Sequence, residues 1–181
     1  HDQMKSVFED ADCLHALEEV QGAIENMSLQ ITQELAKQNP IILVVMNGGL
    51  VFSGQLLTQL QFPLQVDYLH ATRYRDETQG GELDWLVEPS ISMKNRCVLL
   101  VDDILDEGHT LKAILDYCQA QGANKVYSAV LADKLHDRKV LPGFKADFEG
   151  LKVLDRFVFG FGMDYQGYWR NAPGIYAVKG L

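Results

Sequence analysis

Long apolar runs, paired cysteines and an excess of positive charge are all missing from this sequence. No stretch approaches the roughly 18 uninterrupted apolar residues of a membrane span, and the N-terminus lacks the basic-then-apolar order of a secretory signal. The three cysteines, Cys13, Cys97 and Cys118, form no C-x-x-C pair and no Cys/His metal spacing, which predicts reduced thiols. We therefore expect a cytoplasmic protein with no membrane partner.

The charge balance narrows the choice of ligands. A net charge of -9 at pH 7 argues against a broad basic surface, so we expect no nucleic-acid partner. An anionic small molecule could still be held locally by backbone amides, a helix N-terminus or a metal ion. With 181 residues, 47% of them hydrophobic, the chain fits one globular domain over residues 1–181 with its own core.

Hydrophobic patterns along the chain, with helical spacing in some segments and unbroken apolar runs in others, predict an α/β fold. Ile24, Met27, Ile31 and Leu35 fall on one face of a predicted helix that covers much of the N-terminal third and ends near Pro40. The other predicted elements are strands over 41–46, 64–71, 97–101 and 125–132, helices over 50–60 and from 111 to 121, and short strands over 157–161 and 175–178. This order of strand, turn, helix and strand predicts a central, mostly parallel sheet that is flanked by helices.

The stretch from Val98 to Thr110, with the sequence VLLVDDILDEGHT, is the most informative motif. Its acidic residues are expected just beyond the end of a buried strand, where ligands bind in open α/β sheets. A glycine-bearing loop then opens a helix and directs backbone N–H groups at an anion. Carboxylates beside a phosphate site make sense if Mg²⁺ and sugar hydroxyls lie between them. The alternative is a solvated acidic turn that only caps the helix.

This motif resembles the signature of type I phosphoribosyltransferases that binds phosphoribosyl pyrophosphate (PRPP). The resemblance implies the type I phosphoribosyltransferase fold, with a small hood formed by the terminal segments. It also implies that Asp102 and Asp103 contact the ribose hydroxyls and the metal shell, and that Asp106 is the catalytic residue that transfers a proton or stabilises charge. The residues expected around the 5-phosphate are Glu107, Gly108, His109 and Thr110.

Four later segments resemble the hypoxanthine-guanine branch of that family. The resemblance implies that Lys134 meets the purine 6-oxygen, that Phe157 stacks on the base and that the backbone of Val158 touches the base edge. It places Asp164 near the exocyclic group and a second metal, and Arg170 near pyrophosphate. The implied reaction transfers ribose 5-phosphate from PRPP to hypoxanthine or guanine and gives IMP or GMP and pyrophosphate. The implied cofactor is Mg²⁺, and the implied assembly is a homodimer or homotetramer.

Two segments depart from the family pattern. The first turn has Asn47 and Gly48 where the family usually has lysine and glycine, so a fixed cation for pyrophosphate is lost. The mobile loop has Arg73 and Tyr74 where the family usually has serine and tyrosine. Arg73 or Arg75 could replace the lost charge. We expect the polar segment 72–90 to be a long loop that excludes water from the activated ribose.

Other interpretations remain open at this point. The chain could be a PRPP-sensing regulator, or a phosphoribosyltransferase that acts on adenine or a pyrimidine. Taken alone, Lys134 fits a solvated surface residue and Phe157 a core residue, while Asp164 and Arg170 fit a structural ion pair. The residues without a convincing ligand or triad spacing are His70, His109 and His136, and these are expected to be structural or solvated. The sequence does not rank hypoxanthine, guanine and xanthine.

Overall fold

A six-stranded sheet forms the centre of the computed structural model, which describes residues 1–73 and 82–181. The strand order is β4-β3-β2-β5-β6-β7. The neighbours pair in parallel except β4, which runs antiparallel to β3. The prediction of a central, mostly parallel sheet is confirmed. The strands are β2 (Ile41–Val45), β3 (Gln65–Arg73), β4 (Leu83–Val87), β5 (Cys97–Leu105), β6 (Lys125–Lys134) and β7 (Phe148–Val153).

Helices cover both faces of this sheet. Helices α2 (Leu17–Leu35) and α3 (Leu50–Leu57) pack on one face, and α4 (His109–Ala120) packs on the other. Along β2, Ile42 joins the first of these hydrophobic layers, whereas Leu43 joins the second. Successive side chains of a strand point to opposite faces, so burial of both faces explains the unbroken apolar runs. No helix of the described residues is long and apolar enough to cross a membrane.

A second, three-stranded antiparallel sheet is built from both ends of the chain, and we call it the terminal sheet. It contains β1 (Asp12–His15), β9 (Ile175–Ala177) and β8 (Val158–Phe159) in that order. Helix α1 (Asp2–Asp10) packs beside it, where Phe8 stacks on Trp169 with the ring centroids 4.7 Å apart. The indole N–H of Trp169 donates to the carbonyl of Met4 at 2.6 Å. These contacts join the N-terminal helix to the C-terminal segment.

The prediction of one helix through much of the N-terminal third was wrong around β1. This strand pairs with β9, so that Asp12 lies opposite Ala177. A pairing between residues so distant in sequence leaves no local periodicity, and four residues are too few to show alternation. Strand β7 was missed as well, because its half-buried residues do not form an apolar run.

The prediction of a loop over 72–90 was also wrong in its described part. Strand β3 continues through Arg73, and β4 pairs with it so that Arg73 lies opposite Leu83. Trp85 of β4 packs against Tyr117 of α4, with the ring centroids 4.6 Å apart. This packing half-buries Trp85, whereas Leu86 and Val87 of the same short strand are exposed. Tyr74 and Arg75 lie outside the described residues.

Candidate active site

The two acidic residues at the centre of the motif belong to β5 and not to the loop after it. Strand β5 extends to Leu105, and Asp102 and Asp103 occupy its carboxyl-terminal half. Their expected position beyond the strand was therefore wrong by a few residues. Asp106 is the first of the motif's carboxylates that lies outside the strand. The parallel partner β6 continues beside β5, with Asp102 opposite Val130 and Leu105 opposite Asp133.

A glycine makes the sharp turn between this loop and helix α4. Gly108 has a φ of 90°, in the left-handed region, and a Cβ there would lie 2.6 Å from the ring of Phe144. Both the backbone conformation and the close approach therefore require glycine. Helix α4 begins at the next residue, His109. The first-turn N–H groups of a helix have no intrahelical acceptor and lie at the positive end of its dipole. This end of α4 can therefore bind an anion.

A cavity of about 350 Å³ opens beside the start of α4, and we call it the helix-start pocket. It brings together Arg73, Asp102 and the whole loop predicted to hold a ribose phosphate. The carboxylate of Glu107 lies 3.3 Å from Nε2 of His109 and 4.0 Å from Nε of Arg138. The lining residues are Arg73, Asp102, Ile104, Leu105, Asp106, Glu107, Gly108, His109, Thr110 and Leu111.

A second cavity of about 190 Å³, the aromatic pocket, lies next to the first. Its volume is below the roughly 300–1,000 Å³ of sites for drug-sized ligands, so it suits a single heterocycle. Phe157 is 46% exposed as a residue and meets Tyr165 edge to face at 5.3 Å, which leaves an aromatic surface available for stacking. All four residues predicted for purine binding line it. The lining residues are Asp103, Ile104, Asp106, Lys134, Phe157, Val158, Met163 and Asp164.

Asp106 lies on the boundary of the two pockets and has a donor on each oxygen. Nζ of Lys134 donates to Oδ2 at 3.1 Å, and the ring of His136 contacts Oδ1 at 2.7 Å through Nε2. Partial burial by itself would raise the pKa of Asp106, but the hydrogen bonds from His136 and Lys134 outweigh it and hold the pKa below its ordinary value. Asp106 is therefore ionised at neutral pH.

Asp102 and Asp103 have the opposite environment. Burial and the charge of Asp103 raise the pKa of Asp102 well above its ordinary value. Burial also raises the pKa of Asp103, although a hydrogen bond from the N–H of Ile104 at 2.7 Å opposes it. Neither carboxylate forms a salt bridge with any residue that the structure describes. Such a pair favours a ligand that brings positive charge or hydrogen-bond donors.

These carboxylates fit a Mg²⁺ ion that keeps several water ligands and takes only one or two ligands from the protein. No group of three or more His, Cys, Asp or Glu side chains in the described ranges could hold a metal alone. Asp164, the third predicted metal residue, lines the aromatic pocket with Asp103, whereas Asp102 lines the helix-start pocket. Mg²⁺ is commonly bound by one or two carboxylates together with substrate phosphates, so the absence of a three-ligand cluster among these residues is compatible with it.

The turn after β2 packs directly against Asp103. A Cβ on Gly48 would collide with the carboxylate of Asp103, and a Cβ on Gly162 would collide with the carbonyl of Gly48. Arg170 donates to the carbonyl of Gly162 at 2.6 Å and contacts Asp164 at 3.3 Å. Asn47, Gly48 and Arg170 are thus close to the acidic pair but line neither of the two pockets. Their predicted contacts with PRPP and pyrophosphate remain predictions.

Two residues that contact the site were missed in the sequence. His136, expected to be structural or solvated, is bonded to Asp106, and its side chain is only 2% exposed. Lys139 was the other. Its Nζ donates to the carbonyls of Leu105, Asp106 and Lys134 at 2.6–3.2 Å, contacts that no local pattern indicates.

Comparison with known proteins agrees with the class of enzyme that the sheet and the glycine-capped helix start indicate. The sequence model of the phosphoribosyl transferase domain family matches residues 10–166, so the chain is a phosphoribosyltransferase. The hypoxanthine-guanine phosphoribosyltransferase of Staphylococcus epidermidis is 32% identical over 164 residues, which are 90% of each chain. That of Bacillus subtilis is 31% identical over 163 residues, 90% of this chain and 89% of the other. The chain belongs to the hypoxanthine-guanine phosphoribosyltransferase family.

Solved structures give the same relationship. The hypoxanthine phosphoribosyltransferase of Staphylococcus aureus superposes with a TM-score of 0.86 at 28% identity, over 93% of this chain and 91% of the other. A hypoxanthine-guanine phosphoribosyltransferase of Bacillus anthracis, with a HEPES molecule in its active site, gives 0.85 at 26% identity, over 92% and 98% of the two chains. The predicted type I phosphoribosyltransferase fold is therefore confirmed.

Proposed function

We propose that this enzyme transfers the ribose 5-phosphate of PRPP to hypoxanthine or guanine, releases pyrophosphate and forms IMP or GMP. The observation that carries the proposal is the junction of the two pockets. Ile104 and Asp106 line both of them. A purine in the aromatic pocket and a ribose phosphate in the helix-start pocket would therefore meet beside the carboxylate of Asp106.

The aromatic pocket has the groups needed to orient a 6-oxopurine. Phe157 offers a ring face for stacking. Lys134 uses one of its three N–H donors on Asp106, which leaves donors for the 6-oxygen. Val158 lies in β8, and its position at the pocket wall is fixed by pairing with Ala177. Because β8 belongs to the terminal sheet, we further propose that this sheet acts as the hood over the base within a single domain.

The helix-start pocket and the residues beside it have the groups needed to hold the sugar phosphate. The free N–H groups around Gly108 and the hydroxyl of Thr110 would bind the 5-phosphate. Asp102 and Asp103 would accept hydrogen bonds from the ribose hydroxyls, which would relieve the mutual repulsion of the pair. Arg73, Asn47, Gly48 and Arg170 are the candidates for the pyrophosphate side. The position of Arg73 on the wall of this pocket supports its assignment.

The reaction breaks the bond from the anomeric carbon to pyrophosphate and forms a bond from that carbon to a purine nitrogen. The transition state has oxocarbenium character, as in glycoside transfer. The ionised Asp106 would accept the proton that the purine loses or stabilise the positive charge on its imidazole ring. Mg²⁺, held through the shell of Asp102 and Asp103 with Asp164 as a candidate for a second ion, would neutralise the leaving pyrophosphate as a Lewis acid. We expect a cytoplasmic homodimer or homotetramer, as the family implies.

The proposal is tested by pyrophosphate release with PRPP, Mg²⁺ and each purine in turn. Hypoxanthine and guanine should be substrates, and adenine should be rejected by about 10⁴-fold in kcat/KM, because its 6-amino group faces the donor of Lys134 and leaves both donors unpaired. In Lys134→Ala the turnover of both 6-oxopurines should fall and their advantage over adenine should narrow. Equal turnover of adenine and hypoxanthine by the wild type would contradict the assignment of the aromatic pocket. No turnover with any purine would instead favour a PRPP-binding regulator.

A further inference from the structure

The buried imidazole of His136 has a defined partner on each ring nitrogen. One nitrogen, Nδ1, lies 3.0 Å from the backbone N–H of Arg138. The other, Nε2, lies 2.7 Å from Oδ1 of Asp106. Because an N–H group can only donate, Nδ1 must accept and therefore carries no proton. The proton is on Nε2, so His136 is a neutral imidazole that donates to Asp106.

We infer that His136 is a positioning residue, which fixes the orientation of the Asp106 carboxylate for proton transfer with the purine. The inference rests on the proposed catalytic role of Asp106. His136 is too deeply buried to touch a substrate directly, since only 2% of its side chain is exposed. It acts instead through the hydrogen bond to Oδ1. In turn, the backbone N–H of Arg138 holds the ring of His136.

Asp106 needs this support because of where it lies. Its side chain is 47% exposed on a loop between a strand and a helix, where a carboxylate would otherwise be free to rotate. Lys134 also holds it, but the proposed function gives Lys134 a second partner, the purine 6-oxygen. The contact from Lys134 therefore changes when the base binds, whereas the contact from His136 lies outside the pocket and remains. Proton transfer requires a fixed orientation of the Asp106 carboxylate, and the hydrogen bond from His136 is the contact that persists when the base binds.

The neighbourhood of Asp106 determines the sign of a pH effect. The groups that face it are Lys134 and His136 on its oxygens, Lys139 on its carbonyl, Arg138 and Glu107 at longer range, and Asp103 and Asp164 across the aromatic pocket. Burial raises the pKa of Asp106, and the hydrogen bonds from His136 and Lys134 lower it further than burial raises it. Loss of the His136 donor would therefore raise this pKa. Since Asp106 must be ionised to accept a proton, the acidic limb of the kcat profile should move to higher pH.

Two substitutions separate the hydrogen bond from the volume of the ring. His136→Phe keeps a planar ring and removes the donor, and His136→Gln restores an N–H near the position of Nε2. We expect His136→Phe to lower kcat roughly tenfold, the lower end of what a hydrogen bond to a charged group contributes, with little change in KM for PRPP. The acidic limb should move to higher pH. His136→Gln should recover most of kcat and return the limb towards its wild-type position. His1→Gln, a change at an exposed histidine whose ring contacts only Asp2 among the described residues, is the matched control.

Several outcomes would overturn the inference. A folded His136→Phe enzyme with wild-type kcat and an unmoved acidic limb would do so, as would His136→Gln that fails to improve on His136→Phe. If His136→Phe does not fold, nitrogen NMR of the wild-type histidine rings decides the matter, because a proton on Nδ1 of His136 at neutral pH is incompatible with the proposed contact. Asp106→Asn is measured in parallel. If Asp106→Asn retains turnover, the proposed role of Asp106 is wrong. If Asp106→Asn is inactive but the His136 variants keep wild-type activity, only the positioning role of His136 is wrong.

Discussion

Carboxylates on the two sides of Leu105 have opposite electrostatic environments. Asp106 has both oxygens bonded to donors from the last residue of β6 and from the segment after it, and these bonds lower its pKa. Asp102 and Asp103 lie a few residues earlier on β5, repel each other and have raised pKa values that arise mainly from burial. The same residue type is therefore prepared for two different tasks. The protein itself supplies hydrogen-bond donors to both oxygens of Asp106, whereas Asp102 and Asp103 require a ligand to compensate their charge.

This contrast explains how one short motif can serve both substrates. A residue that accepts a proton must be ionised and correctly oriented before the base arrives, so its partners belong to the protein. A pair that binds a metal shell and ribose hydroxyls must leave its oxygens free, which costs stability until the ligand binds.

The largest effect is expected from removal of divalent metal. With a chelator present, turnover should fall to background, because the charge of pyrophosphate and that of the acidic pair would then be uncompensated. Added Mg²⁺ should restore it. Initial rates of pyrophosphate release measure the effect, and an unchanged melting temperature in chelator shows that the fold is intact. Full activity in metal-free buffer would show that the acidic pair needs no cation.

The next largest effect is expected from Asp106→Asn. The amide keeps the size of the side chain but cannot accept a proton, so kcat should fall by about 10² or more, the usual contribution of a positioned acid-base group. Asp116→Asn, a matched change at an exposed residue of α4 that pairs with Lys112, should leave kcat unchanged. Both are compared by kcat at saturating substrates and by thermal unfolding. A folded Asp106→Asn enzyme with near wild-type kcat would remove the functional distinction between Asp106 and the pair.

Local patterns predicted the central sheet well and the site only in part. The strand around Leu43 was visible because its burial on both faces gives an uninterrupted apolar run. The glycine-bearing loop was visible because Gly108 and the following Thr110 stand at fixed positions in one motif. Each of these two signals is contained within a stretch of about a dozen residues.

What the sequence did not disclose depends on distant partners. The role of β1 requires β9, and β4 is held by packing on Tyr117. His136 is 30 residues from Asp106, and its contact arises because β5 and β6 pair in register and end at the same edge of the sheet. Lys139 satisfies three carbonyl groups on two segments. Composition and periodicity carry no information about such long-range contacts.

A moderate effect on substrate binding is expected from Arg73→Gln. Among the described residues that line the helix-start pocket, Arg73 is the only arginine. The turn after β2 has Asn47 and no cationic residue. Loss of a charge-assisted hydrogen bond should raise KM for PRPP about threefold to tenfold and leave KM for hypoxanthine nearly unchanged. Lys37→Gln, an exposed residue in the loop after α2, is the control. Equal small changes in both KM values would make Arg73 a solvated surface residue.

The smallest effect, and the most direct test of the comparison, is expected from Asp102→Asn on stability in metal-free buffer. The folded pKa of Asp102 is raised above its unfolded value, so its contribution to stability is fully present below the unfolded pKa and is lost as the pH rises through the folded pKa. Asparagine cannot ionise and does not suffer this loss. The variant should therefore unfold at a higher temperature than the wild type at pH 8, by roughly 2–4 °C if the difference is about 1 kcal/mol. The gap should close as the pH falls towards about 4, the ordinary range of a carboxyl group. Thermal unfolding of both proteins across this pH range measures the difference in melting temperature. A difference that stays constant or widens at low pH would mean that ionisation of Asp102 does not destabilise the folded protein.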